Sequence, residues 1–248
     1  MDPSQLAMRE FFYSKIDFEK VRSILDLGCG IGSDLMAISK KIAGEARLAG
    51  LDSMAKSIAA AQSETEGDSR YSFSAHDLTL GIPFEDASFD LVLSNNLLEC
   101  IRDKDHLLRE TARVLKPGGQ VAFAHFDWDS QLFDGNDRQL VRKIVQIFND
   151  WQQPWMTDCD PWMGRRLWRT FQRTGLFEGE VFPYVLINTR FEDPFFGFRR
   201  AADFQALVKR EMIPENEYRR FYHDLQRMAD AGEYFYSITL YIYTGRKR

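Results

Sequence analysis

Residues 23–44 read SILDLGCGIGSDLMAISKKIAG. A short apolar run is followed by glycines at alternate positions, Gly28, Gly30 and Gly32, and then by apolar residues at helical spacing. The run has the length of one buried strand, and "SDLMAISKKIA" predicts a helix with Ser33 near its start and Gly44 as its C-cap. A strand that passes through glycines into a helix brings bare Cα atoms and backbone N–H groups up to a ligand, near the positive end of the helix. The same glycines can also serve only a tight structural bend.

The pattern repeats outward from this point. "ARLAGLD" and "YSFSA" predict two more strands, separated by the alanine-rich helix "MAKSIAAAQS". "FDLVLS" and "QVAFAHF" predict a fourth and a fifth, separated by "DKDHLLRETARVL", whose Leu107, Leu108, Thr111, Ala112 and Leu115 share one helical face. Alternating strands and helices, with strands apolar throughout, define an α/β chain with a parallel sheet covered on both faces. After residue 130 the rhythm changes. "DRQLVRKIVQIFNDW", "PWMGRRLWRTFQRTG" and "PENEYRRFYHDLQRMADAG" predict helices, and "EGEVFPYVLINTRF" and "EYFYSITLYIYTGRK" predict an antiparallel pair that closes the sheet. The organisation expected is a helical lid at 1–20 and one domain at 21–248, with cap helices at about 130–175 and 195–232 over the carboxyl edge of the sheet.

The ligand of the glycine turn follows from spacing and charge. A dinucleotide turn needs G-x-G-x-x-G, with a pyrophosphate at the helix N-terminus. Here Ser33 stands at the third fingerprint position and the glycine falls one residue early, at Gly32. Asp26, two residues before Gly28, would repel a pyrophosphate but suits a cationic amine. Asp52 ends the second strand, where a carboxylate can accept both hydroxyls of a ribose. Asp77 follows the third strand, where the adenine amine of the same nucleoside would arrive. An amino acid portion, a ribose and a base, with no phosphate, describe S-adenosylmethionine.

The residues that carry this reading also carry a resemblance. "ILDLGCGIGSDL", "GLDSM", "AHDLTLGIPFEDASFDLVLSNNLLEC" and "RVLKPGGQVAFAHFD" resemble class I S-adenosylmethionine-dependent methyltransferases, especially the group acting on small molecules and quinone-type substrates. The match covers residues 20 to about 127. It implies a Rossmann-like seven-stranded sheet of order 3-2-1-4-5-7-6 with the seventh strand antiparallel. It assigns Gly28, Gly30 and Gly32 to the methionine portion, Asp26 to its amino group, Asp52 with Ser53 and Met54 to the ribose, and Asp77 with Leu78 to the adenine. Ser94 and Asn95 would line the sulfonium. Relatives commonly place a histidine after the acid of the "SNNLLE" segment, where this chain has Cys100.

Methyl transfer needs mainly a nucleophile held about 3 Å from the methyl group and the exclusion of water. A base is required only where the nucleophile must lose a proton. His125 and Asp127 follow strand five and are the catalytic candidates, His125 standing either as general base or as a histidine satisfied by backbone. Trp128, Trp155, Arg165 and Arg166 are candidates for acceptor binding. The tryptophans 151, 155, 162 and 168 either wall a pocket for a flat substrate or pack as core, and the arginines either clamp an anion or pair at the surface. Tyr13, with Phe11 and Phe12, would fold over the site. Asp127, Asp129 and Asp134 lack the spacing of a metal loop, so no metal is expected.

Composition bounds the partners. Net charge is −5 and the basic clusters are short, which argues against nucleic acid, as does "SNNL" in place of an N/D-P-P-Y segment. Aromatics reach 14%, most of them after residue 120. Cys29, Cys100 and Cys159 form no C-x-x-C pair, which suits a reducing compartment, and the charged first twenty residues and the lack of a long apolar run leave a cytoplasmic protein without membrane contact as the expectation. The expected activity is methylation of a small aromatic or anionic metabolite in a biosynthetic setting, at oxygen or nitrogen ahead of carbon, by a monomer or homodimer. A non-catalytic S-adenosylmethionine-binding module and an NAD-dependent oxidoreductase are the competing readings.

Overall fold

A computed structural model describes residues 2–42 and 44–248. The strands are β1 (Ser23–Leu27), β2 (Arg47–Asp52), β3 (Tyr71–Ala75), β4 (Phe89–Asn95), β5 (Leu115–Phe133), β6 (Phe177–Asn188) and β7 (Tyr236–Lys247). They form one sheet of order β3-β2-β1-β4-β5-β7-β6. β3, β2, β1, β4 and β5 run parallel, and β7 is antiparallel to both β5 and β6. This is the topology expected, with the antiparallel seventh strand inserted between β5 and β6.

The period-two alternation of strand side chains sorts the core onto two faces. Ile24, Leu48, Leu91, Leu93, Ala122 and Phe126 lie in one apolar cluster; Leu25, Leu27, Leu51, Val92 and Phe123 lie in the other. The first face is covered by α1 (Pro3–Tyr13), α2 (Ser33–Ile38), α3 (Ala55–Glu64) and the cap helices α5 (Arg138–Asn149), α7 (Phe196–Asp203), α8 (Gln205–Lys209) and α9 (Glu215–Asp230). The second is covered by α4 (Lys104–Val114) and α6 (Met163–Thr174). α2 ends at Ile38, earlier than its apolar spacing predicts.

The two helices expected as caps at 130–175 take different places. α5 packs with α9 and the far end of β5, whereas α6 lies flat on the sheet against β5, β6 and β7. Met163, Leu167 and Phe171 drive it there, with Phe171 stacked on Tyr243 at 3.8 Å between ring centroids. Gly164 allows the approach, because a Cβ at that position would stand 2.7 Å from the Asp127 amide nitrogen. Of the tryptophans of this region only Trp151 packs against the apolar cluster. Trp155, Trp162 and Trp168 are exposed and Trp151 is half-buried.

α1 is fixed at both ends. Asp2 is buried, accepts from the Ser4 backbone and hydroxyl, and also accepts from the Phe196 amide at 2.9 Å, which joins the start of α1 to the start of α7. Met8, Phe12 and Tyr13 bury the other face of α1. Among the described residues no helix is long and apolar enough to cross a membrane.

Candidate active site

The turn after β1 runs through left-handed backbone at Gly28 (φ 73°), Gly30 (52°) and Gly32 (76°), conformations a side chain rarely tolerates. The Gly28 and Cys29 amides both donate to the Leu51 carbonyl, at 2.8 and 3.0 Å, and the Gly30 amide donates to Asp52 Oδ2 at 2.9 Å. β1 and β2 are thereby tied at the level where the cleft begins. The three glycines do different work. A Cβ on Gly32 would meet the Phe73 ring at 2.7 Å, so Gly32 admits close packing of α2 on β3, while Gly28 faces Leu97 across the cleft.

The cleft at the carboxyl ends of β1, β2 and β3 has a volume of about 270 Å³ and is lined by Gly28, Asp52, Ser53, Met54, Asp77 and Leu78. Asp52 is half-buried and also accepts from the Met54 amide at 2.8 Å. Asp77 accepts from the Thr79 hydroxyl and amide, which hold its carboxyl below the usual range and keep it ionised. Both acids retain lone pairs for hydroxyl or amine donors. A larger hollow of about 650 Å³ between α5 and α9 contains none of these residues, and surface ion pairs such as Arg220–Asp137 and Arg227–Asp224 border it.

Beyond Gly28, at the ends of β1 and β4, lies a buried polar group. Asp26 is 1% exposed and its Oδ2 has no partner; Asn95 Oδ1 is likewise buried and unpartnered. Burial first, then the neighbouring Asp34 charge, pushes the Asp26 carboxyl well above the ordinary value. Tyr13 donates its hydroxyl to Asp34, and Arg9 Nε lies 3.5 Å from the same carboxylate. Burial and Asp34 together raise the Tyr13 phenol, so it remains a donor. Ser94 is spent on the scaffold, its hydroxyl donating to the Leu27 carbonyl at 2.8 Å between β4 and β1.

Around the second half of β5, the structure shows the paired alternative for the histidine and the arginines. His125 is 1% exposed, donates Nδ1–H to the Phe126 carbonyl at 2.8 Å and faces the Glu99 amide with Nε2 at 3.4 Å. Burial lowers it to about 4, so it stays neutral near pH 7. Asp127 is 1% exposed and holds Arg165 with two bonds of 2.5 Å while also accepting the Arg165 amide, fastening β5 to the first turn of α6. Arg166 is paired with Asp160 at 2.5 Å. His125, Asp127, Arg165 and Arg166 thus complete one another and their neighbours rather than an open pocket. Trp155 borders the cleft that Asp52 and Asp77 line. His125, Asp127 and Asp129 lie within β5 rather than after it, and Asp129 receives the Trp162 indole N–H while Asp127 holds Arg165. Among the described residues no group of three or more His, Cys, Asp or Glu side chains is placed to hold a metal.

The group that sequence reasoning missed is Glu99. It sits in a short turn after β4, 9% exposed, and accepts the Trp128 indole N–H. Burial raises its carboxyl to about 7, against the pull of Trp128 and of the cations Arg200 and Lys104 and with a push from Asp160. The signal was the acid in "SNNLLEC", whose neighbour Cys100 drew the comparison with the family's histidine. The Cys100 thiol is pushed up to about 12 by burial, and its carbonyl anchors the Thr157 amide and hydroxyl at 2.9 Å each.

A methyltransferase-domain family model matches residues 19–175. The chain belongs to that family, and its fold is that of the class I S-adenosylmethionine-dependent methyltransferases. It is 28% identical over 233 residues, 92% of its length and 63% of the relative's, to an uncharacterised 37.1 kDa protein in transposon TN4556 of Streptomyces fradiae. It is 30% identical over 142 residues, 55% of the chain and 48% of the relative, to ajmaline N-methyltransferase of Rauvolfia serpentina. The chain thus spans about half to two thirds of the length of these relatives. Among solved structures, a putative methyltransferase of Bacillus halodurans superposes with a TM-score of 0.62 at 15% identity, covering 97% of this chain and 99% of that one. Phosphoethanolamine N-methyltransferase 2 of Haemonchus contortus, in complex with S-adenosyl-L-methionine, gives 0.58 at 18% identity, over 97% of this chain and 52% of that one.

Proposed function

We propose that this protein transfers a methyl group from S-adenosylmethionine to a small aromatic or anionic acceptor, at oxygen or nitrogen, in a pocket closed to water. The observation that carries the reading is the pair of buried, unpartnered oxygens Asp26 Oδ2 and Asn95 Oδ1, set beyond a glycine turn whose cleft continues to Asp52 and Asp77. Buried polar atoms without partners are uncommon and costly, and a donor that fills both removes the cost. An α-ammonium group supplies such donors, and its positive charge returns Asp26 to the ionised state.

In this reading Asp26 and Asn95 hold the ammonium and Arg9 is the cation available to the adjoining carboxylate. Asp52 accepts from the ribose hydroxyls, and Asp77 with Leu78 borders the base. When bound, S-adenosylmethionine supplies an electrophilic methyl on a sulfonium and an excellent leaving group, a neutral thioether. Glu99 would take the proton of the acceptor O–H or N–H, leaving the acceptor lone pair free for the methyl group. Trp128 keeps the Glu99 carboxyl oriented through its indole N–H. Support for oxygen or nitrogen as the methylated atom comes from a carboxylate raised to about 7, which suits proton removal near neutral pH.

Calorimetry with S-adenosylmethionine and with NAD tests the donor. Saturable binding of the first alone is expected; binding of NAD alone overturns the reading. Asp26→Asn should weaken S-adenosylmethionine about tenfold or more, the cost of a hydrogen bond to a charged group, yet change adenosine affinity little. Release of S-adenosylhomocysteine across a panel of phenols, amines and their acids separates an enzyme from a binding module.

A further inference from the structure

We infer that Arg200, set against the faces of Trp128, Phe148 and Phe196, is the subsite for a carboxylate carried by the methyl acceptor, an inference that rests on the methyl-transfer reading of the same site. The guanidinium carbon lies 4.7 Å from the Trp128 ring centroid and 5.3 Å from those of Phe148 and Phe196. The side chain is 16% exposed, and its Nε is buried without a hydrogen-bond partner. Its ion-pair contact is a loose one, 3.5 Å to Asp203 one turn along α7, and the Asp203 side chain is 57% exposed.

The contrast with the neighbouring arginines gives the inference its weight. Arg166 Nε is also buried without a partner, but Arg165 and Arg166, where the sequence suggested an anion clamp, each have an aspartate at 2.5 Å. Arg200 is withdrawn from water without such a partner. An arginine buried over aromatic faces keeps its in-plane N–H fork free, and that fork matches a carboxylate with two parallel bonds. A cation needed only at the end of α7 would gain from the helix dipole while remaining in solvent. Trp128 joins this subsite to the proposed base, since its face carries Arg200 and its edge donates to Glu99. The three rings are half-buried, so part of each remains exposed beside the guanidinium. An acceptor with a flat body, a carboxylate toward Arg200 and a hydroxyl or amine toward Glu99 satisfies both charged groups at once.

The test uses the full chain saturated with S-adenosylhomocysteine and two probe pairs of equal shape, benzoate against benzamide and indole-3-acetate against indole-3-acetamide, titrated by calorimetry. Each carboxylate should bind at least tenfold more tightly than its amide. Arg200→Met should bring that ratio close to one, and Arg200→Lys should keep part of it, while S-adenosylhomocysteine affinity and melting temperature report that the variants are folded. Equal binding of acid and amide, no binding of the acids, or a ratio that survives Arg200→Met overturns the proposal. If Arg200→Met does not fold, the wild-type ratio and the lysine variant decide. Failure of S-adenosylhomocysteine itself to bind would instead strike the donor reading.

Discussion

At the scale of single residues, the site separates groups that resemble one another in sequence by how far each is removed from water. His125 and Glu99 lie in contact, yet burial drives them in opposite directions, because it disfavours the charged form of each. The histidine falls to about 4 and the glutamate rises to about 7. Near neutral pH only the glutamate changes its charge. If it removes the acceptor proton, its ionised form is the active one, so kcat/KM should rise with pH, bend near 7 and then level. The charged and titratable groups that face it are Arg200, Lys104, Asp160, Cys100 and His125; burial lowers His125 to about 4 and raises the Cys100 thiol to about 12, so neither of these two changes charge around that pH. Glu99→Gln should lower kcat about a hundredfold, the usual share of a general base, and flatten the profile. A bend at the same pH in the glutamine variant would assign the titration to the acceptor or to another group.

At the scale of elements, the unexpected features come from pairing across long stretches of chain. The parallel half of the sheet was legible because each strand announces itself by an apolar run and each turn by its glycines or acids. The gathering of Gly28, Asp52 and Asp77 about one cleft was legible for the same reason, since each follows its strand directly. The acceptor side was not, because Asp127 finds Arg165 38 residues away and Glu99 finds Trp128 29 residues away, and no local period records such partners. Arg165→Ala should therefore act on stability rather than on acceptor KM. Asp127 would be left buried with only the Arg165-position amide, but the arginine is 42% exposed, so the cost falls below that of a fully buried pair. About 2 kcal/mol, or roughly 4–8 °C in Tm for a chain of this size, is the expected loss by calorimetric melting. A large rise in acceptor KM with an unchanged Tm would restore the clamp. The segment between α5 and α6 bears on the donor instead. Thr157 fastens it to Cys100, and Trp155, 55% exposed, borders the cleft that Asp52 and Asp77 line, proposed above for the nucleoside. A tryptophan so placed has a free face for the base, and stacking of this kind is worth about 1–3 kcal/mol. Trp155→Ala should weaken S-adenosylmethionine about tenfold and leave methionine-portion contacts intact, whereas Trp155→Phe should recover most of the affinity. An alanine variant that binds as well as the parent would leave Trp155 a surface residue.

At the scale of the whole molecule, the two halves of the proposed site are held by different parts of the chain. The donor cleft belongs to the sheet, while the Arg200 recess depends on α7, which lies in the excursion between β6 and β7. The tie between them is at Asp2. Its carboxylate accepts from Ser4 in α1 and from Phe196 in α7, and Asn188 at the end of β6 completes the clasp by accepting the Gly197 amide at 2.8 Å. α1 in turn presents Arg9 and Tyr13 to Asp34 beside the methionine end. The aromatics of α1 are visible in the sequence, but not this clasp, whose members are 186 and 194 residues apart. Asp2→Ala removes the acceptor for several buried donors at once, and each donor left unpaired costs about 1–3 kcal/mol locally. Hydrogen exchange should then speed up together in residues 3–13 and 196–203, while β1, β4 and β5 keep their protection, because their hydrogen bonds do not pass through the clasp. The functional counterpart is a rise in Kd for S-adenosylhomocysteine accompanied by weaker carboxylate binding. Faster exchange in only one of the two segments would mean that α1 and α7 are held independently, and that donor and acceptor sites are assembled without reference to each other.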